Sequence, residues 1–106
     1  MPKYLLQASY TAEGTKGLAK EGGSRRRAYI DELVKKLGGK LETFYYAFGE
    51  ADVVVIADLP DAETAAAISL AVNGSGAVRA RTSVLLTPEQ MDQASKKSVA
   101  YRPPGA

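Results

Sequence analysis

The sequence predicts an α+β domain: one antiparallel sheet of four strands, two helices on one face, a short third helix at the end, and a second copy of the chain against the other face. Three observations carry this prediction. Four runs read as strands, and helical runs separate the first from the second and the third from the fourth. Phe48-Gly49-Glu50-Ala51-Asp52 reads as a tight turn, which makes the second and third strands an antiparallel hairpin. The strand after that turn, Val53-Val54-Val55-Ile56-Ala57, is apolar on both sides. A strand with one face in water alternates apolar and polar residues, so this one asks for cover on both faces.

The length of 106 residues suits one domain with a modest core, and 45% hydrophobic with 25% charged residues is ordinary for a globular chain. Fourteen Lys and Arg against 12 Asp and Glu leave a net charge of +2, too balanced to indicate nucleic acid as a partner. No apolar run is long enough for a membrane span, and no signal peptide is visible at Met1-Pro2-Lys3-Tyr4. The expectation is a cytoplasmic protein without a membrane partner. Cys, His and Trp are absent. This excludes thiol nucleophiles, imidazole bases, disulfides, haem held by His, and zinc or copper sites of the usual kind. No metal and no cofactor is expected, and any chemistry falls to carboxylates, Arg, Lys, Tyr, Ser or Thr.

Residues 3–10 read as the first strand, with Tyr4, Leu6, Ala8 and Tyr10 on one face and Leu5, Gln7 and Ser9 on the other. Residues 11–23 hold four Gly and little periodicity, and read as a long loop, a flap over the mouth of the assembly. Ser24 is the expected cap of a helix over 25–37, stopped by Gly38-Gly39, with Ile30, Leu33, Val34 and Leu37 on its buried side. Arg25-Arg26-Arg27 in its first turn read as a solvated run, with Arg27 paired to Asp31, or else as an anion or partner contact.

Residues 40–48 read as the second strand. Strict alternation puts Leu41, Thr43, Tyr45 and Ala47 on one face and Glu42, Phe44, Tyr46 and Phe48 on the other. Pro60 ends the third strand, and Asp61 caps an alanine-rich helix over 62–72. Residues 77–86 read as the fourth strand, with Arg79, Arg81 and Ser83 sharing a side. Thr87-Pro88 open a third helix over 88–97. Residues 1–98 are taken as one domain and 99–106 as a flexible tail.

The order βαββαβ plus a terminal helix, with right-handed crossovers, is the ferredoxin-like arrangement, with strands one and three central. Two helices cover one face only. A second copy packed sheet to sheet, giving a dimeric α+β barrel, would cover the other; the alternative is that the terminal helix folds over the open face of its own chain.

The stretch Phe44-Tyr45-Tyr46-Ala47-Phe48-Gly49-Glu50-Ala51-Asp52-Val53-Val54 resembles the signature of the GYD-domain family of small bacterial proteins. So do Tyr10-Thr11-Ala12-Glu13-Gly14, Leu37-Gly38-Gly39-Lys40-Leu41-Glu42 and Leu59-Pro60-Asp61. The likeness runs from about Tyr4 to Glu89. Gly49 and Asp52 keep their places, and Ala51 stands where the family's Tyr is expected. The resemblance implies a ferredoxin-like, dimeric-barrel fold and little about activity.

One constellation points to chemistry. Gln7 and Ser9 on strand one neighbour Arg79, Arg81 and Ser83 on strand four, and Tyr46 joins them if strand two is free of bulges. Such a basic, hydroxylated patch suits a small organic anion, because Arg grips a carboxylate through two parallel hydrogen bonds. The plainer reading is an edge strand whose arginines are solvated or paired between subunits. Glu50 and Asp52 at the hairpin tip read as turn formers, with acid–base work or hard-cation binding as the alternatives. Three functions fit: a homo-oligomeric barrel binding a small organic acid, a cofactor-free isomerase or oxygenase acting on an activated organic substrate, and an assembly module without a ligand.

Overall fold

A computed structural model describes residues 1–47 and 49–106; Phe48, placed above in the hairpin turn, lies outside the described residues. The elements are β1 (Lys3–Tyr10), α1 (Ala12–Glu21), α2 (Gly23–Lys36), β2 (Lys40–Tyr46), β3 (Val53–Asp58), α3 (Ala62–Gly74), β4 (Val78–Leu85) and α4 (Pro88–Ser95). The strands form one sheet in the order β2-β3-β1-β4, and every neighbouring pair is antiparallel. This is the ferredoxin-like topology, with the expected central strands.

Register fixes the two faces. Tyr4, Leu6 and Ala8 stand opposite Ala57, Val55 and Val53, and this face meets the helices. Leu5 and Gln7 stand opposite Ile56 and Val54 on the other face. From Ala51 to Leu59 every second residue is buried, while Val54 and Ile56 between them are only partly so. The core gathers in two clusters. One joins Tyr4, Val34, Ala57, Leu59, Ala65 and Ile68; the other, at the opposite end of the strands, joins Ala8, Val53 and Val55.

The caps explain most of the boundaries. The Asp61 carboxylate accepts from the Thr64 amide at 2.8 Å and from its hydroxyl at 2.6 Å, which starts α3. Thr87 and Gln90 exchange side-chain bonds in a capping box, and Pro88 occupies the first turn of α4. Leu37 closes α2, and Gly38 turns the chain with φ of 84°, a conformation that favours glycine.

Four expectations are corrected. Residues 12–21 are helical rather than a loop or flap. Thr11 caps this helix by accepting from the Gly14 amide at 3.2 Å. Gly14 sits where α1 crosses the end of β4, and a Cβ there would collide with the carbonyl oxygen of Ala77; the glycine serves close approach, not flexibility. Ser24 lies inside α2, whose cap position is Gly22 with no side-chain bond. Asp31 pairs with Lys35 at 3.1 Å rather than with Arg27. Finally, α4 does not fold over the open face of the sheet, since every residue from Leu86 to Ala106 is exposed.

Candidate functional site

The open face carries most of the residues singled out above. Ser9 stands opposite Arg79, Gln7 opposite Arg81 and Leu5 opposite Ser83 in the β1–β4 ladder, so these side chains share one side of the sheet. Gln7, Ser9, Arg79 and Arg81 line a shallow depression of about 450 Å³, with Glu50 from the hairpin tip and Asn73 from the end of α3 also in its lining. Ser83 lies one pair further along the strand and outside the depression. The Ser9 hydroxyl donates to the Glu50 carbonyl at 3.2 Å, tying the tip to the rim. Asn73 holds the β4 edge in place: its carbonyl oxygen accepts from the Ala80 amide at 2.8 Å. Among the described residues neither Arg79 nor Arg81 has an acidic partner.

Tyr46 does not belong to this group. The β2–β3 register shifts between Leu41 and Thr43, so Thr43 and Tyr45 face outward with Ile56 and Val54, while Phe44 and Tyr46 turn toward the helices with Val55 and Val53. The bulge reverses the phase that strict alternation gave Leu41. The Tyr46 hydroxyl donates to the Gly23 carbonyl at 3.0 Å, and its ring meets Phe44 edge-on at 5.3 Å.

At the hairpin, Gly49 and Glu50 are exposed. Asp52 is a clamp rather than a solvated tip residue. Its carboxylate accepts from the Tyr10 amide at 2.8 Å, its own amide donates to the Ala8 carbonyl at 2.8 Å, and its carbonyl accepts from the Ala47 amide at 2.8 Å. This carboxylate fixes the end of β1 where that strand leaves its pairing with β3. No group of acidic side chains among the described residues could hold a metal ion.

At the far end of the open face Lys3 bridges Glu42 at 2.6 Å and Asp58 at 3.0 Å. The hydrogen bond to Glu42, then that to Asp58, raises the Lys3 pKa. Between this bridge and the arginines runs an apolar strip of Leu5, Val54, Ile56 and Leu85, beside the exposed ring of Tyr45. Among the described residues no element covers it.

The helix side holds a feature that the sequence did not announce. An apolar chamber of about 80 Å³ lies between the sheet and the helices α2 and α3, with Leu6, Val55, Ile68 and Val72 among its walls. Tyr10 and Arg26 line its edge and also line an adjoining hollow of about 190 Å³ against α1. Burial, then the neighbouring Tyr46, pushes the Tyr10 phenol above its ordinary pKa, and Arg26 opposes this. Tyr46 is raised by burial as well, again against Arg26. Arg26 approaches Glu21 at 3.7 Å and lies over the Tyr29 ring at 4.8 Å.

The fold and these two surfaces define a small ferredoxin-like α+β domain with an uncovered, partly basic sheet face. The family model of the GYD domain matches residues 4–95, and the chain belongs to that family. No curated protein and no solved structure matches the chain. No described helix is long and apolar enough to cross a membrane.

Proposed function

We propose that this GYD-domain protein is a binding protein that pairs through its open sheet face and holds a small organic anion against Arg79 and Arg81, with Gln7 and Ser9 as neutral hydrogen-bond partners. The observation that carries the reading is the depression itself: two guanidinium groups with no acidic partner among the described residues, beside two polar side chains, at the end of an apolar strip that no described element covers. An Arg that has no carboxylate of its own is free to take one from a ligand, and burial between two sheets would strengthen that bond by excluding water. The apolar strip gives the second copy its reason to bind, at about 25 cal/mol for each Å² of apolar surface covered.

The test has two readouts on one sample. Light scattering gives the mass in solution, which should be that of an assembly larger than one chain. Titration with succinate should then shift the backbone amide signals of Gln7, Ser9, Arg79 and Arg81, and Arg81→Gln should weaken the effect about tenfold, as for a lost charged hydrogen bond. A single-chain mass, or a succinate titration that leaves those four amides still, overturns the corresponding half of the proposal.

A further inference from the structure

The chamber on the helix side has an order of polarity from inside to outside. Its floor is apolar: Leu6 and Val55 from the sheet, Ile68 and Val72 from α3. Next come Tyr10 and Arg26, which line both the chamber and the adjoining hollow, so the two spaces meet at these side chains. The hollow beyond adds Glu13 and Glu21, the two acids of α1. An apolar floor thus opens onto a phenol and an Arg26–Glu21 pair, with Glu13 beside them.

We propose that this site binds a free α-amino acid with a short aliphatic side chain. At roughly 30 Å³ for each water-sized group, the chamber accommodates two or three such groups, the size of a valine side chain. Arg26 and Glu21 approach each other at 3.7 Å in the free chain, and the ligand would exchange that contact for two of its own: its carboxylate would meet Arg26 and the Tyr10 hydroxyl, and its ammonium would meet Glu21 and Glu13. A simple carboxylic acid fits less well, since its charge would sit near two carboxylates with nothing to offer them. A simple amine fits less well, since it draws Glu21 away from Arg26 and gives the guanidinium no carboxylate in exchange. The Tyr10 phenol, pushed above its ordinary pKa by burial, is protonated at neutral pH and can donate to the carboxylate. Two features of the fold leave room for such a ligand. The helices lie apart over the sheet, α2 packing over β2 and α3 over β4. The core cluster around Ala8, Val53 and Val55 is formed without a buried helical residue. This site lies on the opposite face of the sheet from the proposed anion site and stands independently of it.

The experiment is a titration of the full chain, followed by backbone amide shifts, with three probes of one carbon skeleton: valine, isovalerate and isobutylamine. The expected result is saturation by valine with shifts at Tyr10, Gly14 and Val78, and binding about tenfold or more weaker for each probe lacking one charge. Arg26→Gln and Glu21→Gln each change a side chain about one-third exposed, so both variants should fold; each should cost valine about tenfold, while isobutylamine and isovalerate, respectively, should bind no more weakly, since the residue left behind loses its partner. Isovalerate binding as well as valine overturns the amino-acid assignment. Shifts confined to Gln7, Ser9, Arg79 and Arg81 overturn the site itself, and so does a lack of saturation by valine at tens of millimolar.

Discussion

The two faces of this sheet are built from the same strands and live in different surroundings. On the helix side Val53, Val55 and Ala57 are buried; on the open side Val54 and Ile56, their immediate neighbours in β3, are only partly covered, and by adjacent strands alone. The residues are nearly identical in kind, so hydrophobicity does not separate them. Position does: the helices reach one face only. The lesson is that β3 carries apolar residues on a face that no described helix reaches, the face that the proposed pairing would cover.

The sharpest way to break this comparison is to put a carboxylate on each side of β3. Val55→Asp places a charge in the core without a partner and should cost about 4 kcal/mol or more, enough to unfold many domains of this size. Ile56→Asp should leave urea unfolding of the single chain within about 1 kcal/mol and reduce the mass measured by light scattering to one chain. Equal destabilisation by both substitutions would mean that the two faces serve folding alike.

Gly14→Ala tests the cover on the helix side. Alanine in place of glycine within a helix ordinarily gains about 1 kcal/mol. Here the added Cβ meets the Ala77 carbonyl oxygen, a backbone atom that cannot move aside without dragging β4. The overpacking cost, about 1–3 kcal/mol, should win and give net destabilisation in urea. A variant more stable than the parent would show that α1 is loosely held.

The smallest expected effect concerns the start of α3. The Thr64 hydroxyl, then its amide, hold the exposed Asp61 carboxyl below its ordinary pKa. The contribution of this cap is therefore complete above the ordinary carboxylate range and fades as the pH falls from there through the lowered folded value. Asp61→Asn should keep most of the stability at neutral pH and flatten that acid limb of the stability curve. An unchanged acid limb would assign it to other carboxylates.

How far the sequence could be read follows the same division. The strand order, the hairpin, the Asp61 and Thr87 caps and the grouping of Gln7, Ser9, Arg79 and Arg81 all depend on local pattern plus alternation, and all were legible. Helix α1 was not, because its glycines weigh against a helix; the Thr11-Ala12-Glu13-Gly14 start was a usable signal, outvoted by Gly14 and Gly17. Tyr46 was placed on the wrong face because a bulge at Leu41 and Thr43 adds one residue and inverts the phase. The chamber was invisible for another reason. Its walls come from β1, β2, β3, β4, α2 and α3, each contributing ordinary core residues, and Arg26 was hidden in a run of three arginines at a helix start.

The exposed stretch from Leu86 to Ala106 has a hydrodynamic consequence. A compact chain of this length has a radius of gyration near ~13 Å, whereas this one reaches 16.7 Å, with extents of 54 × 34 × 23 Å. A body of that shape drags more water than its mass suggests and elutes early from a sizing column. Elution volume alone would make one chain resemble a larger particle, so the number of subunits has to come from a measurement of mass.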